Sequence, residues 1–334
     1  MKTDRILVTH GGGGALTREL IEETIAPIFN SELLNKFEDS SLIPATDRLV
    51  MTTDSHVVKP LFFPGGDIGR LSISGTVNDI ATSGARPLAI SVGLIIEEGF
   101  SLEDLKIILK SMKDTADEAE VHIITGDTKV VERGKADGIY INTSAVGLLP
   151  EDIHLRPANI EPGDAVLITG PIGNHEAAII AARNELLPDV KISSDCAPLG
   201  GLIKKLIDEV PEVKCARDPT RGGVAATLIE IIESSGFGIE LDEKEIPVDD
   251  DVKSLCDILG MDPLLMANEG KMLIFVPENK VNRALEVMRK DKYGKNSRKI
   301  GFVTDNKKRL VLRTIYGAKR IITMPMGSQL PRIC

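Results

Sequence analysis

The sequence has no tryptophan and only three tyrosines and eight phenylalanines in 334 residues. So few rings leave little on which nucleobases can stack, which sets general nucleic-acid binding aside. Long hydrophobic runs are missing too. PLAISVGLII, at 87–96, is too short to cross a bilayer, and the opening MKTDRILVTH lacks the apolar core of a signal peptide. A cytoplasmic location, with no membrane partner, is the expectation. Cysteine is scarce: Cys196, Cys215, Cys256 and Cys334 show no C-x-x-C spacing, which argues against a zinc knuckle and a disulfide framework. In a reducing compartment all four are expected as free thiols. No cluster of His and Cys competes for a soft metal.

What is present is ordinary for a globular chain: 42% hydrophobic and 27% charged residues, a length suited to two domains, and a net charge of −10. One asymmetry stands out. After Asp305 there is no further acid, but Lys307, Lys308, Arg309, Arg313, Lys319, Arg320 and Arg332 follow. Solvated strand edges and a basic tail account for this most simply; a tail drawn toward an anionic site is the alternative.

Alternating strand and helix signals run along the chain. TRELIEETI has helical spacing; RLVMTTD reads as a strand ending at Asp54; DIGRLSISGTVNDIATSGA reads as a helix and PLAISVGLII as a strand. SLEDLKIILKSMKDTADEA carries Ser101 as N-cap and Leu105, Ile108, Leu109 and Met112 on one face. VHIITGD and GIYINTSAVGLL are further strands. PEDIHLRPANIEPGD, with three prolines and no periodicity, marks the domain boundary, and Pro162-Gly163 suits the centre of a type II turn. A second α+β unit opens with AVLITG and closes with KMLIFV, NKVNRALEVMRK and KIGFVT as strand, helix and strand, the helix burying Val281, Ala284, Leu285 and Met288. The expected divisions are 1–153, 154–314 and a tail, 315–334.

Candidate chemistry begins with THGGGGAL, whose bare backbone suits a phosphate at a helix start but matches neither a P-loop nor a dinucleotide fingerprint. ITGPIGNHEAA reads as an ordinary strand-to-helix turn. Carboxylates at strand ends say more: Asp54 closes MTTD, Asp127 closes IITGD, and Asp218 lies in RDPTRGG where a loop enters a helix. Each alone is explained as a turn former. Asp79, beside Asn78 and flanked by Val77, Ile80 and Ala81, is costly to bury without a partner. Converging aspartates of this kind suit Mg²⁺ bridging to nucleotide phosphates.

Taken together, TTDSHVVKPLFFPGGDIGRL, TVNDIATSGARPLAIS, TGDTKVVERG, RDPTRGGVA, NEG and the terminal PRIC closely resemble the HypE family of hydrogenase maturation factors. That family is a branch of the ATP-dependent superfamily of aminoimidazole ribonucleotide synthetase, selenophosphate synthetase and thiamine-phosphate kinase. The resemblance implies a two-domain α+β fold whose N-terminal domains pair into a β-barrel across a homodimer, with ATP and Mg²⁺ in a long cleft. Residue by residue, it implies metal and triphosphate ligands at Asp39, Asp54, Asp79, Asp127 and Asp218, nucleotide contacts at Asp67, Gly12 and Gly13, and Lys129 and Glu269 beside the reacting group. Two departures are visible: EDSS replaces the family's acid pair followed by alanines, and Gly12 replaces a serine of the glycine-rich loop.

The resemblance further implies that Cys334 receives a carbamoyl group from a HypF-like carbamoyltransferase and that the chain dehydrates it, with ATP, to a thiocyanate. A HypC–HypD-like iron-carrying scaffold then takes the cyanide for a [NiFe] hydrogenase. A mobile tail lets Cys334 be loaded outside and dehydrated inside, with Arg332 balancing the terminal carboxylate. Two other readings remain: a selenophosphate synthetase-like enzyme, disfavoured because no cysteine precedes residue 196, and a non-catalytic carrier, disfavoured because the acids and Lys129 are retained. Cys215 and Cys256 read as buried thiols and Cys196 as a loop cysteine, expected exposed. His10, His56 and His175 have no assigned role, with packing and substrate contact both open for His56.

Overall fold

The chain alternates two kinds of strand, and each builds a different sheet. The computed structural model describes residues 14–20, 22, 41–43, 48–183, 191–305, 308–325 and 331–334. A short helix, α1 (Ala15–Leu20), follows the glycine-rich segment. The first sheet comprises β1 (Ser41–Ile43), β2 (Leu49–His56), β5 (Arg86–Glu97), β6 (His122–Val131) and β7 (Ile139–Leu148), in the order β1-β2-β7-β5-β6; β3 (Phe62–Phe63) and β4 (Gly66–Asp67) form a separate small hairpin. Strict alternation in β7 turns Ile139, Ile141, Thr143 and Ala145 inward. The pairings are antiparallel except that β5 and β6 run parallel. The edge strand β6 is exposed at every residue from His122 to Val130.

Helix α2 (Ile68–Thr82) lies across this sheet and is buried on nearly all sides, because β2, β7 and α3 (Leu102–Glu118) pack on it from one unit and residues of the second unit cover the rest. Its buried polar side chains find partners, Ser72 donating to the Gly69 carbonyl at 2.9 Å and Asn78 to the Ala197 carbonyl at 3.0 Å. Ser101 caps α3, its hydroxyl accepting from the Asp104 amide at 3.2 Å. The buried face of α3 is Ile108, Met112, Thr115 and Ala116; Leu109, expected inside, is 42% exposed, lying about 100° round the helix from Ile108.

The Pro162-Gly163 turn forms as expected, with Gly163 at φ 94° and the Asp164 amide bonded to the Glu161 carbonyl at 3.1 Å. Beyond it the second sheet runs β14-β13-β10-β12-β8-β11-β9, built from β8 (Asp164–Ile168), β9 (Cys215–Arg217), β10 (Gly238–Asp242), β11 (Leu273–Pro277), β12 (Arg298–Thr304), β13 (Leu310–Arg313) and β14 (Lys319–Ile322). Helices α4 (Asn174–Arg183), α5 (Gly200–Glu209), α6 (Gly223–Ser235), α7 (Asp250–Leu259) and α8 (Val281–Arg289) cover it. Strand β14 falls inside the stretch expected to be tail. Three of the basic residues are explained here: Lys319 pairs with Glu240, Arg320 with Asp262 and Arg313 with Asp242, so that part of the charge serves strand edges. No helix among the described residues is long and apolar enough to cross a membrane.

The two units are locked where the β3–β4 turn meets the segment at 191–199. Gly65 has φ 91°, and a Cβ there would stand 2.6 Å from the Ser194 carbonyl oxygen and 2.7 Å from its amide nitrogen. The Ser194 amide in turn donates to the Pro64 carbonyl at 2.8 Å. Gly65→Ala therefore adds a left-handed-backbone cost of ~1–2 kcal/mol to an overpacking cost of ~1–3 kcal/mol. Urea denaturation should show a loss of at least ~2 kcal/mol from these two costs; a loss under ~0.5 kcal/mol, the range of neutral surface changes, would contradict this contact.

Candidate active site

The inward face of β2 carries Thr52, Asp54 and His56 toward α2. Thr52 donates its hydroxyl to Asp79 Oδ2 at 2.8 Å, which answers the cost of placing that carboxylate on an apolar helix. One turn earlier on the same face is Gly75. A Cβ there would lie 3.0 Å from Asp54 Oδ2, 3.3 Å from His56 Cε1 and 4.0 Å from Glu269 Oε2. The glycine thus leaves the space in which three functional groups from two domains converge.

The second unit supplies Glu269 on a rigid mount. Buried Asn268 accepts from the Gly173 amide at 2.8 Å and donates to the carbonyls of Pro219 and Met266 at 2.9 and 3.0 Å. The Glu269 amide donates to Asp195 Oδ1 at 3.1 Å, and Lys271 Nζ sits 3.3 Å from Asp195 Oδ2. Gly270 abuts the Asp195 carbonyl so closely that no side chain fits there, which gives the N-E-G run a steric reason.

Into this space comes the end of the chain, antiparallel to residues 57–59. The Val57 amide donates to the Cys334 carbonyl at 3.2 Å and the Lys59 amide to the Arg332 carbonyl at 3.3 Å. Arg183, at the end of α4, donates to the Pro331 carbonyl at 2.8 Å and to the carbonyls of Arg332 and Lys59. Arg332 donates to the Val57 carbonyl at 2.8 Å and pairs with Asp137, so it does not serve as the expected counter-charge to the terminal carboxylate. Ile333 is 5% exposed and joins the first unit's core.

Electrostatics follow from this crowding. Burial pushes the Glu269 carboxyl well above its usual range, and Asp54, Asp218 and Asp195 push it further while Arg221 opposes them. Burial likewise raises the Cys334 thiol, which hydrogen-bonds to Glu269; Glu269 and Asp54 add to the rise and Arg221 counters it. At neutral pH the docked thiol therefore holds its proton, and the Glu269 carboxyl is shifted toward its protonated form. Arg221 reaches the same groups: Cys334, Asp54, Glu269 and Asp79 hold its guanidinium charge against the cost of its partial desolvation. Because Cys334 exerts that pull only as a thiolate, Asp54 and Asp79 are its partners at rest. His56 is kept neutral chiefly by burial, its Nε2 3.4 Å from Asp54 Oδ2.

The structure gathers Asp54, Asp79, Asp218, Glu269 and Cys334. It does not gather the others. Asp67 caps α2 instead, accepting from the amides of Gly69 and Arg70 at 2.7 and 3.0 Å. Asp127 lies within β6, not at its end, and pairs with Lys129 at 2.6 Å on the exposed edge. Asp54 likewise sits inside β2, which continues to His56. Cys196 is 4% exposed and not on an open loop. Asp39, Gly12, Gly13 and His10 lie outside the described residues. Among the described residues no three His, Cys, Asp or Glu side chains converge closely enough to hold a cation. Arg221, Arg183, Asp137 and Asp195 were missed and His175 was named without a role; Arg221 lies in RDPTRGG and His175 in ITGPIGNHEAA, while the other three join the site through tertiary packing.

The chain is similar to known proteins along nearly its whole length. Residues 37–149 match the AIR synthase related protein N-terminal domain, and residues 161–313 match the corresponding C-terminal domain. The carbamoyl dehydratase HypE of Cupriavidus necator is 46% identical over 337 residues, covering 100% of this chain and 96% of that protein. A crystal structure of a HypE–HypF complex superposes with TM-score 0.88 at 50% identity, covering 92% of this chain and 99% of that one. A HypE structure in complex with ATP superposes with TM-score 0.83 at 39% identity, covering 99% of this chain and 100% of that one.

A second buried carboxyl borders the site. Glu176 accepts from the Ala267 amide at 2.8 Å through Oε2, while Oε1 has no hydrogen-bond partner, and burial pushes its pKa up to about 7 from 4.5 despite Ala267 and Arg183. A raised folded-state pKa favours folding fully below about 4.5, and this contribution is lost as pH rises through about 7. Glu176→Gln should remove the dependence, gaining on the unmodified chain by up to about 3 kcal/mol between pH 4.5 and 8. Denaturant titrations at both pH values check this; an equal gap at the two would contradict it.

Proposed function

We propose a working mechanism for a chain that belongs to the AIR synthase-related proteins and, among them, to the HypE carbamoyl dehydratases. It is an ATP-dependent carbamoyl dehydratase of hydrogenase maturation. The observation that carries the mechanism is the seat of Cys334: its backbone is pinned along residues 57–59 while its side chain meets Glu269 and Arg221 inside the cleft.

A thiol held protonated is a poor nucleophile, so the docked Cys334 is not the form that is loaded. Loading takes place with the tail withdrawn, by a HypF-like carbamoyltransferase. The carbamoyl-cysteine then re-enters. Its amide oxygen attacks the γ-phosphorus of ATP, ADP leaves, and one N–H proton departs to give an O-phosphorylated imidate. The C–O bond then breaks, phosphate leaves with the bonding pair, the second N–H proton departs and the nitrile forms as thiocyanate. The net loss is one water, taken up as ADP and phosphate replace ATP. Glu269 is the base for the N–H protons: the burial and neighbouring carboxylates that hold its own proton make its ionised form strongly basic. Arg221 steadies the charge gathering between sulfur and phosphate. A HypC–HypD-like iron-carrying scaffold accepts the cyanide.

Asp54, Asp79 and Asp218, with Asp39 and Asp127, are the acids that would hold Mg²⁺, whose charge would offset that developing on the transferred phosphoryl group. The described residues of one chain bring no three of them together, so no step here passes through the ion. The exposed β6 edge supports a homodimer closing a β-barrel: Ile124 and Val130 are each 68% exposed and Ile95 45%. In it Asp127 and Lys129 face the joint site, Lys129 as the cation beside the reacting group. The nucleotide-binding and dimerisation unit spans 1–153 and the second unit 154–314, with the working tail beginning beyond β14.

Glu269→Gln should still be carbamoylated at Cys334, yet dehydrate it ~10²–10⁴-fold more slowly. In the unmodified chain the single-turnover rate should climb with pH as Glu269 ionises; in the variant it should be flat. Intact mass after adding ATP reads the loss of one water from the adduct. Normal water loss in Glu269→Gln removes its role as base, and a Cys334→Ala chain that still takes up and dehydrates a carbamoyl group overturns the assignment of Cys334.

A further inference from the structure

His175 has no part in the steps above, yet it is buried within the second turn-to-helix junction at the foot of the cleft. Its Nε2 lies 2.9 Å from the carbonyl oxygen of Ile333, and its Nδ1 lies 2.8 Å from Ser194 Oγ. A carbonyl only accepts, so Nε2 carries the proton. Burial keeps the ring neutral, so Nδ1 is the acceptor and the Ser194 hydroxyl donates to it. Ser194 Oγ meanwhile accepts from the Cys196 amide at 3.1 Å. The hydrogen bonds therefore run in one direction, from the Cys196 amide through Ser194 and His175 to the residue before Cys334. Phe63 meets the imidazole edge-on with centroids 5.5 Å apart, which fixes the ring plane.

We propose that His175 is a positioning residue for the dehydration, holding Cys334 in the cleft by donating Nε2–H to the Ile333 carbonyl. The inference rests on the reading of Cys334 as the reacting group, but its physical content is a docking equilibrium that exists without ATP or a carbamoyl donor. Three observations converge on it. Arg332 is held at φ 57°, a left-handed conformation unfavourable for a side-chain-bearing residue, so the bend that aims Cys334 inward needs an external hold. Arg183 grips the carbonyls of Pro331 and Arg332, on either side of the bend, whereas His175 grips that of Ile333, one residue nearer the thiol. The remaining carbonyl, that of Cys334, has the Val57 amide. His175 is thus the side chain that binds the peptide joining Ile333 to Cys334. It is also wired to the Ser194–Cys196 segment whose Asp195 orients the Glu269 amide, so thiol and base are placed from one support.

The test is alkylation of Cys334 by iodoacetamide in the unloaded chain without nucleotide, with adducts located by peptide mass; the other three cysteines are buried. If docking is rapid, the rate follows the undocked fraction. His175→Phe keeps a ring against Phe63 and deletes the donor, and Cys334 alkylation should rise ~10-fold, the worth of one buried hydrogen bond. His175→Gln offers an amide donor near the Nε2 position and should stay within ~3-fold of the unmodified chain, a rescue that a purely structural role would not give. Ser194→Ala, which frees the tautomer, should fall between them. Should His175→Phe fold poorly, the Ser194→Ala and His175→Gln pair still decides the matter. Unchanged Cys334 alkylation in His175→Phe or in Ser194→Ala, or equal acceleration in His175→Phe and His175→Gln, overturns the proposal while leaving the dehydratase reading untouched.

Discussion

A chain end can enter a buried cleft only if its peptide groups find partners there, and this requirement organises the site. The carbonyls of residues 331 to 334 are each met: Arg183 takes the first two, with the Lys59 amide on the second, His175 takes the third and the Val57 amide the fourth. An unpaired buried carbonyl costs about 1–3 kcal/mol, so the set as a whole separates a docked tail from a loose one. The receptor for the tail is drawn from both units: residues 57–59 follow β2, and His175 and Arg183 stand at the two ends of α4. The interface locked by Gly65 and Ser194 is accordingly also the seat of the tail.

Charge is arranged around the same seat. Burial raises the Glu269 carboxyl, Asp54, Asp218 and Asp195 raise it further, and Arg221 relieves part of the repulsion. The docked thiol is kept protonated for similar reasons. At rest, therefore, the docked thiol is a weak nucleophile. In the mechanism proposed above, a carbamoyl group acquired outside changes this, because a thiocarbamate no longer has the thiol's proton and brings an amide to Glu269. On that proposal, loading and dehydration are separated by where the sulfur is.

Much of the frame was legible in the sequence, since burial of one face leaves its mark on periodicity. The Ser101 cap, the Pro162-Gly163 turn and the strand–helix–strand of β11, α8 and β12 follow from local rules. Asp79 was legible for a different reason, as a charge whose burial demanded a partner, and Thr52 is one. The failures have causes as clear. Lys319–Ile322 reads as tail because its charges face solvent, yet its backbone completes a sheet. Asp127 looks like a strand end because G-D is a turn signal, but on an exposed edge strand that bias carries little penalty. His175, Arg183 and Asp137 were invisible as a group, for they meet only when α4 and the loop before β7 close on residues far away in the chain.

The central claim is that dehydration happens with Cys334 docked between Glu269 and the γ-phosphate. A crystal structure of the carbamoylated chain with a non-hydrolysable ATP analogue measures it directly. The account predicts the tail along residues 57–59, the amide nitrogen within hydrogen-bond reach of Glu269, and the amide oxygen about 3–3.5 Å from the γ-phosphorus, in line with the bond to be broken. A carbamoyl-cysteine ordered outside the cleft, or inside it with the nitrogen turned away from Glu269, would contradict it.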